Sequence, residues 1–341
     1  MPKLTMLNLE ELFYRFFIVP LVAFLPAQWA YGVACMRADW RYRRDTRTRE
    51  RIMHNLKEFF GSRLSREEYD CIMRNFFRRR SCEFIDAMRL AGSGKALARL
   101  VEIRGLQHIE SALASGKGAM LCSGHFGSFN VAFSLLGVRG FPVTAVGNWR
   151  TTEYPDMPKV KQFIFNLSFN NKVARHRRRP NIEPMKERFR SAIRIAEVLR
   201  SNELIAIPID APYTFDQPRA LPISSNQLIV SSVDAAALPT GRSRTVPVDF
   251  LDRQILLMPG SVKIAQLTGS AVLVAVLHRS ADWRHQVLEI SPPVSMDGDA
   301  VTVLSRCVKL LEGPIAENPA YWDWWGDRQD LVDLGLLSAQ A

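Results

Sequence analysis

A histidine set between two glycines is the residue of this sequence best placed for acid–base chemistry. The stretch 116–130 is GKGAMLCSGHFGSFN, in which Ala119 to Cys122 predicts a buried strand and the residues after the glycines predict a helix. His125, with Gly124 and Gly127 around it, is therefore predicted at a strand-to-helix turn, where parallel α/β sheets bind ligands. We predict that His125 is a general base, because an imidazole with a pKa of about 6.5 can take a proton from an attacking hydroxyl near neutral pH.

Two more polar side chains are predicted at the same site. Asn130 follows about one helical turn after His125, so its amide could hold one imidazole nitrogen, although it could equally be an ordinary polar residue of a helix N-terminus. The apolar run Leu204–Ile209 predicts a buried strand that ends in Asp210. This carboxylate could bind the acceptor, orient the base or cap a turn.

Arginines supply candidate contacts for anionic groups. Arg175 and Arg177 belong to a dense basic cluster at 175–179. Arginine forks match phosphate oxygens, so the cluster could bind a phosphate or an acidic carrier protein, and the alternative is a solvated surface. The aromatic run at 321–325 favours core packing or interfacial anchoring, with a wall of the substrate site as the less frequent alternative.

Strands and helices alternate through most of the chain, which predicts an α/β fold with a predominantly parallel central sheet flanked by helices. Segment 37–100 is predicted to be basic and helical, and a capping box is predicted to begin a helix at Ser65. We predict three units: an N-terminal membrane anchor at 1–36, the helical segment at 37–100 and the α/β domain at 101–341.

The overall charge indicates an acidic partner. The formal charge is +11 and 47% of the residues are hydrophobic, as in a globular chain with a large core. Nucleic acid is a weak candidate, because the basic residues cluster beside an apolar segment and no nucleic-acid-binding motif occurs. The five cysteines lack metal-ligand spacing, so no metal site is predicted.

The apolar segment 16–36 carries no charged residue, and as one helix it would span roughly 30 Å, about the thickness of a bilayer core. Pro20 and Pro26 would kink such a helix, so a half-inserted or re-entrant helix and a buried soluble helix are the alternatives. Seven arginines between 37 and 51 then predict a cytoplasmic side that contacts anionic lipids.

The order of these motifs resembles the lysophospholipid acyltransferase superfamily, in particular its branch of lipid A late (lauroyl and myristoyl) acyltransferases. Besides the apolar N-terminus, the resemblance rests on Asn55–Ser65, Val101–Glu110, Gly116–Gly127, Ile207–Asp210, Pro259–Gly269 and Pro319–Trp325. It covers most of the chain. It implies a glycerolipid-acyltransferase-like fold with an N-terminal hydrophobic anchor helix and an enzyme on the cytoplasmic face of the inner membrane.

The resemblance also implies the reaction and its residues. An enzyme of this family moves a fatty acyl group from a thioester, either acyl carrier protein or coenzyme A, to a hydroxyl of a lipid or glycolipid, with no cofactor besides that co-substrate. Its motif is His-x4-Asp/Glu, in which His125 matches the base and Asn130 replaces the acid. Asp210 matches an aspartate at a strand end, and Arg279 occupies the position of a basic residue.

Asn130 leaves two functions open, because an amide cannot stabilise an imidazolium as a carboxylate does. The first is an active membrane-associated O-acyltransferase. The alternative is a catalytically weakened or inactive relative that binds or presents an acyl lipid.

Overall fold

A six-stranded sheet forms the centre of the protein. The computed structural model describes residues 13–147, 176, 177, 179, 181, 182, 184–210 and 245–326, without the side chains of 15, 16, and 184–189. The strands are β1 (Val101–Arg104), β2 (Ala119–Ser123), β3 (Val143–Ala145), β4 (Leu204–Pro208), β5 (Val246–Phe250), β6 (Arg253–Leu257), β7 (Ala271–Arg279) and β8 (Gln286–Ile290). The sheet has the order β1-β8-β7-β2-β4-β3, and β5 and β6 form a separate antiparallel hairpin.

Most neighbouring strands of this sheet run parallel, and helices flank them. β2 pairs in parallel with β4 and β7, β3 with β4 and β1 with β8, whereas β7 and β8 are antiparallel. The helices are α1 (Val19–Ala23), α2 (Ala27–Arg44), α3 (Thr46–Phe60), α4 (Arg66–Gly92), α5 (Gly94–Ala98), α6 (Leu106–Ala114), α7 (Phe129–Val138), α8 (Pro184–Arg200), α9 (Gly260–Thr268) and α10 (Ala300–Glu317). The predicted α/β class with a predominantly parallel sheet is confirmed.

Strand β2 is buried on both faces and divides its side chains between two cores. Successive side chains of a strand point to opposite faces. Met120 and Cys122 accordingly pack in a core with α3, α9 and α10, whereas Ala119 and Leu121 pack in a second core with α7. All residues of β2 are buried. The loop that follows β2 therefore starts from a point fixed on both sides of the sheet.

The N-terminal apolar segment forms short pieces instead of one long helix. A π-helical turn (Tyr14–Ile18) leads into α1, and the chain turns after Ala23 before α2 begins behind Pro26. α2 then continues into its arginines, so that its uncharged part, Ala27 to Met36, is about 15 Å long at 1.5 Å per residue. Within the described parts of the chain, no helix has the length and apolar character needed to cross a membrane.

The predicted continuous anchor helix over 16–36 is therefore wrong, because the chain breaks near Pro26 and the second helix carries charge. Residues 1–12 of the predicted anchor lie outside the described residues. α2 also runs across the predicted boundary at residue 36. The division into segments 1–36, 37–100 and 101–341 stays a prediction.

Two glycines shape the turn from β2 into α7. Gly127 has a φ of +57°, in the left-handed region, and a Cβ there would lie 2.3 Å from the carbonyl oxygen of Leu277 in β7. A Cβ on Gly124 would lie 3.1 Å from Oδ2 of Asp210. The loop thus passes so close to β7 and to Asp210 that a side chain at either glycine would displace it.

Replacing Gly127 with alanine tests how closely this loop is packed. Gly116→Ala is the matched control, because Gly116 has a φ of +76° but an added Cβ would meet no atom within 4 Å. We expect Gly116→Ala to lower the free energy of unfolding by about 1–2 kcal/mol through backbone strain. Gly127→Ala should cost roughly 1–3 kcal/mol more, because the loop must move away from β7. Urea denaturation measures both, and equal losses would contradict the close packing.

Candidate active site

His125 and Asp210 form a hydrogen-bonded pair at the carboxyl ends of two neighbouring strands. His125 follows β2 and Asp210 follows β4, and the backbone N–H of Ile209 donates to the carbonyl of Ser123 at 2.8 Å. Nδ1 of His125 lies 2.7 Å from Oδ1 of Asp210, and the backbone N–H of His125 donates to Oδ2 at 2.6 Å. A carboxylate only accepts hydrogen bonds, so it fixes the proton on Nδ1 and makes Nε2 the acceptor nitrogen of the ring.

A tryptophan near the C-terminal end of the described chain is a third donor to the same carboxylate. The indole Nε1–H of Trp322 donates to Oδ2 of Asp210 at 2.8 Å. Trp322 is fully buried and Asp210 is 4% exposed. A buried charge is stable when its acceptor positions are filled, and here three donors converge on one carboxylate. The carboxylate is thereby held in one orientation against the imidazole.

The segment around Trp322 lies directly on the loop 124–128 between β2 and α7, which carries His125 and which we call the histidine loop. The backbone N–H of Gly127 donates to the carbonyl of Tyr321, and the backbone N–H of Asp323 donates to the carbonyl of His125, both at 2.8 Å. These two bonds fasten the loop to the C-terminal segment. The position of His125 is therefore set by β2, β4 and this C-terminal segment together.

A buried arginine of α4 holds that segment in place. Arg79 is 1% exposed, donates to the carbonyl of Ala320 at 3.0 Å and forms ion pairs with Glu83 and Asp323. Burial alone would raise the pKa of the Asp323 carboxyl, but Arg79 and Arg80 beside it lower this pKa. Asp323 is thus an anion anchored to α4, and its backbone N–H remains directed at the histidine loop.

A second buried carboxylate, Asp86 of α4, holds the other end of the loop. It is fully buried and accepts hydrogen bonds from Ser128 Oγ at 3.2 Å, Tyr31 Oη at 2.6 Å and Gln286 Nε2 at 3.1 Å. It also forms an ion pair with Arg279. Ser128 is the N-cap residue of α7, yet its side chain makes no capping bond and turns to Asp86 instead. The loop is thus fastened to α2, α4, β7 and β8 through one carboxylate.

Asn130 lies in the first turn of α7, as predicted. Nδ1–H of His125 donates to Asp210, and Oδ1 of Asn130 is buried with no hydrogen-bond partner among the described residues. Of the roles open for Asp210, these contacts fit the orientation of the base. A catalytic role of Asn130 stays a prediction.

Two of the predicted anion-binding arginines, Arg177 and Arg279, are buried and bonded within the protein. Arg177 is 1% exposed and bonds Ser134 Oγ at 3.1 Å and Asn181 Oδ1 at 2.7 Å, and burial lowers its pKa to about 10. Arg279 is 8% exposed in its pair with Asp86. A phosphate contact of Arg177 or Arg279 stays a prediction. Arg175 lies outside the described residues.

Aromatic rings border the exposed part of the imidazole. The rings of Phe129 and Trp324 each have centroids 4.9 Å from that of His125. The His125 side chain remains 22% exposed, so a substrate can reach it. The arrangement can take a proton from a hydroxyl at Nε2 and return it to a leaving group, which is general acid–base catalysis.

Three contributing residues were not assigned to the site from the sequence. Trp322 belongs to the aromatic run at 321–325. The sequence signal for it is that an indole in such a run can donate a hydrogen bond. Ser128 lies three positions after the histidine, so its place in the motif could have indicated a role in the site. Asp86 gave no such signal, because one acid among the arginines of a helical segment is indistinguishable from a surface residue until the helix packs.

A histidine–carboxylate pair at the strand ends of a mostly parallel α/β sheet defines an acid–base enzyme site. The chain belongs to the family described as bacterial lipid A biosynthesis acyltransferase, whose model matches residues 2–217. The matched range includes both His125 and Asp210. This confirms the resemblance to the lipid A late acyltransferases, and it identifies the chain as an acyltransferase-type protein. Comparison with curated proteins gave no match.

Removing the Ser128 hydroxyl tests whether Asp86 positions the histidine loop. Tyr31→Phe is the matched control for Ser128→Ala, because each variant removes one hydrogen bond from the same carboxylate. We expect each to lower the free energy of unfolding by about 1 kcal/mol. Only Ser128→Ala should lower kcat, by roughly tenfold or more, because it frees the loop that carries His125. Equal kcat values in the two variants would contradict this positioning role.

Proposed function

We propose that the protein is an O-acyltransferase that moves a fatty acyl group from a thioester to a hydroxyl of a lipid or glycolipid. His125 is the general base, and Asp210 orients it and stabilises its protonated form. The observation that carries this proposal is the 2.7 Å contact between Nδ1 of His125 and Oδ1 of Asp210. The family assignment supplies the reaction class, acyl transfer.

The reaction follows from the two ring nitrogens. Nδ1–H donates to Asp210, so Nε2 takes the proton of the acceptor hydroxyl while its oxygen attacks the thioester carbonyl carbon. The new C–O bond gives a tetrahedral oxyanion. The C–S bond then breaks, the imidazolium returns its proton to the departing thiolate, and the products are an ester and a free thiol. Asp210 favours the imidazolium because the opposite charges lie in contact.

The acyl donor is a thioester of acyl carrier protein or of coenzyme A. The formal charge of +11 supports a negatively charged donor. We favour acyl carrier protein, an acidic protein that a basic surface attracts at long range. Coenzyme A presents its phosphates to the same positive potential, so the two donors are compared directly in the assay below.

The hydrogen bond at Nδ1 of His125 helps to distinguish an active enzyme from a weakened or inactive relative. The reason to consider an inactive site is that Asn130 replaces the acid of the His-x4-Asp/Glu motif. Asp210 supplies a carboxylate to the same imidazole from the end of strand β4, whereas residue 130 lies on helix α7. The base therefore keeps a charged partner despite the amide at residue 130, which favours an active enzyme.

We further propose that the N-terminal segment lies on a membrane surface without crossing it. Large apolar side chains are exposed here: Phe13, Phe17, Leu21, Phe24, Leu25, Trp29 and Met36, which we call the apolar arm. Phe24 is 81% and Leu21 70% exposed. A concentration of exposed large apolar side chains in one segment of this kind marks an interaction site.

The sequence of α2 favours a lipid surface as the partner of the apolar arm. Trp29, Met36 and Arg43 are exposed and follow each other at intervals of seven residues, so they share one face of the helix. Along this face the exposed side chains change from aromatic to cationic toward the C-terminal end of the helix. The exposed Arg44 and Arg47 follow in the sequence. Aromatic and apolar groups insert at the headgroup level while arginines bind anionic lipid.

Replacing either member of the pair tests the catalytic assignment. We expect His125→Ala to lower kcat by about 10²–10⁴ through loss of the base. Asp210→Asn should lower it by up to about 10⁴, because an amide cannot stabilise the imidazolium. Release of thiol from acyl carrier protein and coenzyme A thioesters, with and without lipid acceptors, measures turnover.

Asp249→Asn is the control, since Asp249 is an exposed carboxylate of β5. It should turn over as the unmodified protein does. If His125→Ala and Asp210→Asn both kept full turnover, or if the unmodified protein consumed no thioester with any acceptor, the catalytic proposal would be wrong.

Polar substitutions in the apolar arm test membrane docking. The double variant Leu21→Ser/Phe24→Ser should bind vesicles of phosphatidylethanolamine and phosphatidylglycerol at least about 10²-fold more weakly, since burial of each such side chain contributes about 1.5–3 kcal/mol. Flotation of vesicles with bound protein measures this. The control Leu267→Ser/Leu310→Ser removes exposed apolar groups elsewhere, which are 43% and 45% exposed. Equal flotation of the two variants, or a change only in oligomeric state, would contradict the proposal.

A further inference from the structure

Three indoles lie within four residues beside the active site, and two of them have a hydrogen-bond partner. Nε1–H of Trp322 donates to Asp210 at 2.8 Å, and Nε1–H of Trp325 donates to the carbonyl of Pro319 at 2.6 Å. Nε1 of Trp324 is buried and has no hydrogen-bond partner among the residues that the structure describes. A buried donor without a partner costs about 1–3 kcal/mol, so it calls for an explanation.

The unpartnered indole is the one that contacts the catalytic base. The ring centroids of Trp324 and His125 are 4.9 Å apart, with the ring planes inclined at 59°. The indole is a donor only, so its nitrogen can serve only a group that offers a lone pair. A thioester carbonyl attacked by a hydroxyl beside Nε2 of His125 offers such a group, and its oxygen gains a full negative charge during the reaction.

Backbone groups that often stabilise an oxyanion are already engaged here. The N–H of His125 donates to Asp210, that of Gly127 to the carbonyl of Tyr321, and that of Asp323 to the carbonyl of His125. Donors so engaged cannot serve the carbonyl without breaking a bond that holds the loop. The indole N–H of Trp324 is a side-chain donor beside the base that no such bond engages among the described residues.

We propose that Nε1–H of Trp324 donates to the thioester carbonyl oxygen and stabilises the oxyanion of the tetrahedral intermediate. This inference rests on the proposed function. The acceptor oxygen forms the new bond to the carbonyl carbon, its proton goes to Nε2 of His125, and the C–S bond breaks as that proton reaches the sulfur. The indole proton stays on Nε1 throughout, so Trp324 contributes an electrostatic contact and exchanges no atom.

The flanking residues preorganise this donor. Trp322 is bonded to the carboxylate that orients the base, and Asp323 is bonded to the backbone of the base itself. The backbone that leads into Trp324 is therefore bonded to both members of the catalytic pair. A donor fixed in advance needs no reorganisation when the charge appears, which is the condition under which such contacts accelerate a reaction.

Trp324→Phe removes the N–H and retains an aromatic ring. We expect kcat to fall by about 10²-fold or more, with KM and the pH dependence of kcat/KM nearly unchanged, because the base and its carboxylate are intact. Trp325→Phe is the matched control, since it removes an indole N–H that bonds only to Pro319 in the described chain. It should lower the melting temperature but leave kcat within a few-fold.

A second variant guards against altered packing at residue 324. Benzothienylalanine, which replaces the indole N–H with sulfur at nearly the same volume, should reproduce the kcat loss of Trp324→Phe. Unchanged kcat in this variant, or a loss confined to KM, would overturn the oxyanion role while leaving His125 and Asp210 assigned. Absence of thioester consumption by the unmodified protein would instead overturn the proposed function.

Discussion

The Asp210 carboxylate accepts hydrogen bonds from donors that are far apart in the sequence, and the geometry of the site depends on all of them being present. Two donors belong to His125 and one to Trp322. A buried carboxylate left short of donors would be destabilised by several kcal/mol, so the β4 end, the histidine loop and the C-terminal segment each stabilise the position of the others. Gly124 fits this arrangement, because a side chain there would press on the carboxylate.

The same contacts explain how the amide at residue 130 is compatible with an acid–base pair. A carboxylate one helical turn after the histidine and a carboxylate at the end of the neighbouring strand can both reach an imidazole placed at the strand end. What the imidazole requires is one charged acceptor at Nδ1, whichever element provides it. Asp210 meets that requirement from β4.

The sheet and the position of the base could be predicted from the sequence because they depend on local patterns. The apolar run at 119–122 and the glycines after it identify the strand and the turn, and the order of strands and helices identifies a parallel sheet. The capping box at Ser65 is confirmed for the same local reason. The N-terminal prediction failed because composition shows that a segment is apolar but does not show where it turns. Pro26 allowed a kinked helix as well as a break, and the charged half of α2 became visible only in the structure.

The pairing of side chains from distant elements could not be predicted in the same way. His125 and Asp210 are 85 residues apart, and Asp86 and Arg279 are 193 residues apart. Their pairing depends on strand order, which places β2 between β4 and β7. Arg279 was assigned to an anionic ligand because an arginine near a strand end is chemically suited to one. The fold instead brings a buried acid of α4 to it, and the two form an ion pair inside the protein.

The two buried acids differ in a way that separates structure from catalysis. Asp86 is paired with Arg279, so its charge is balanced before any substrate binds. Among the described residues, the charged partner of Asp210 is His125, which carries a charge only when protonated. The attraction between Asp210 and the imidazolium therefore reaches full strength when the base has taken the proton of the attacking hydroxyl. An interaction that strengthens toward the transition state accelerates the reaction directly, whereas one already complete in the resting protein contributes by holding the fold and the loop of His125 in place.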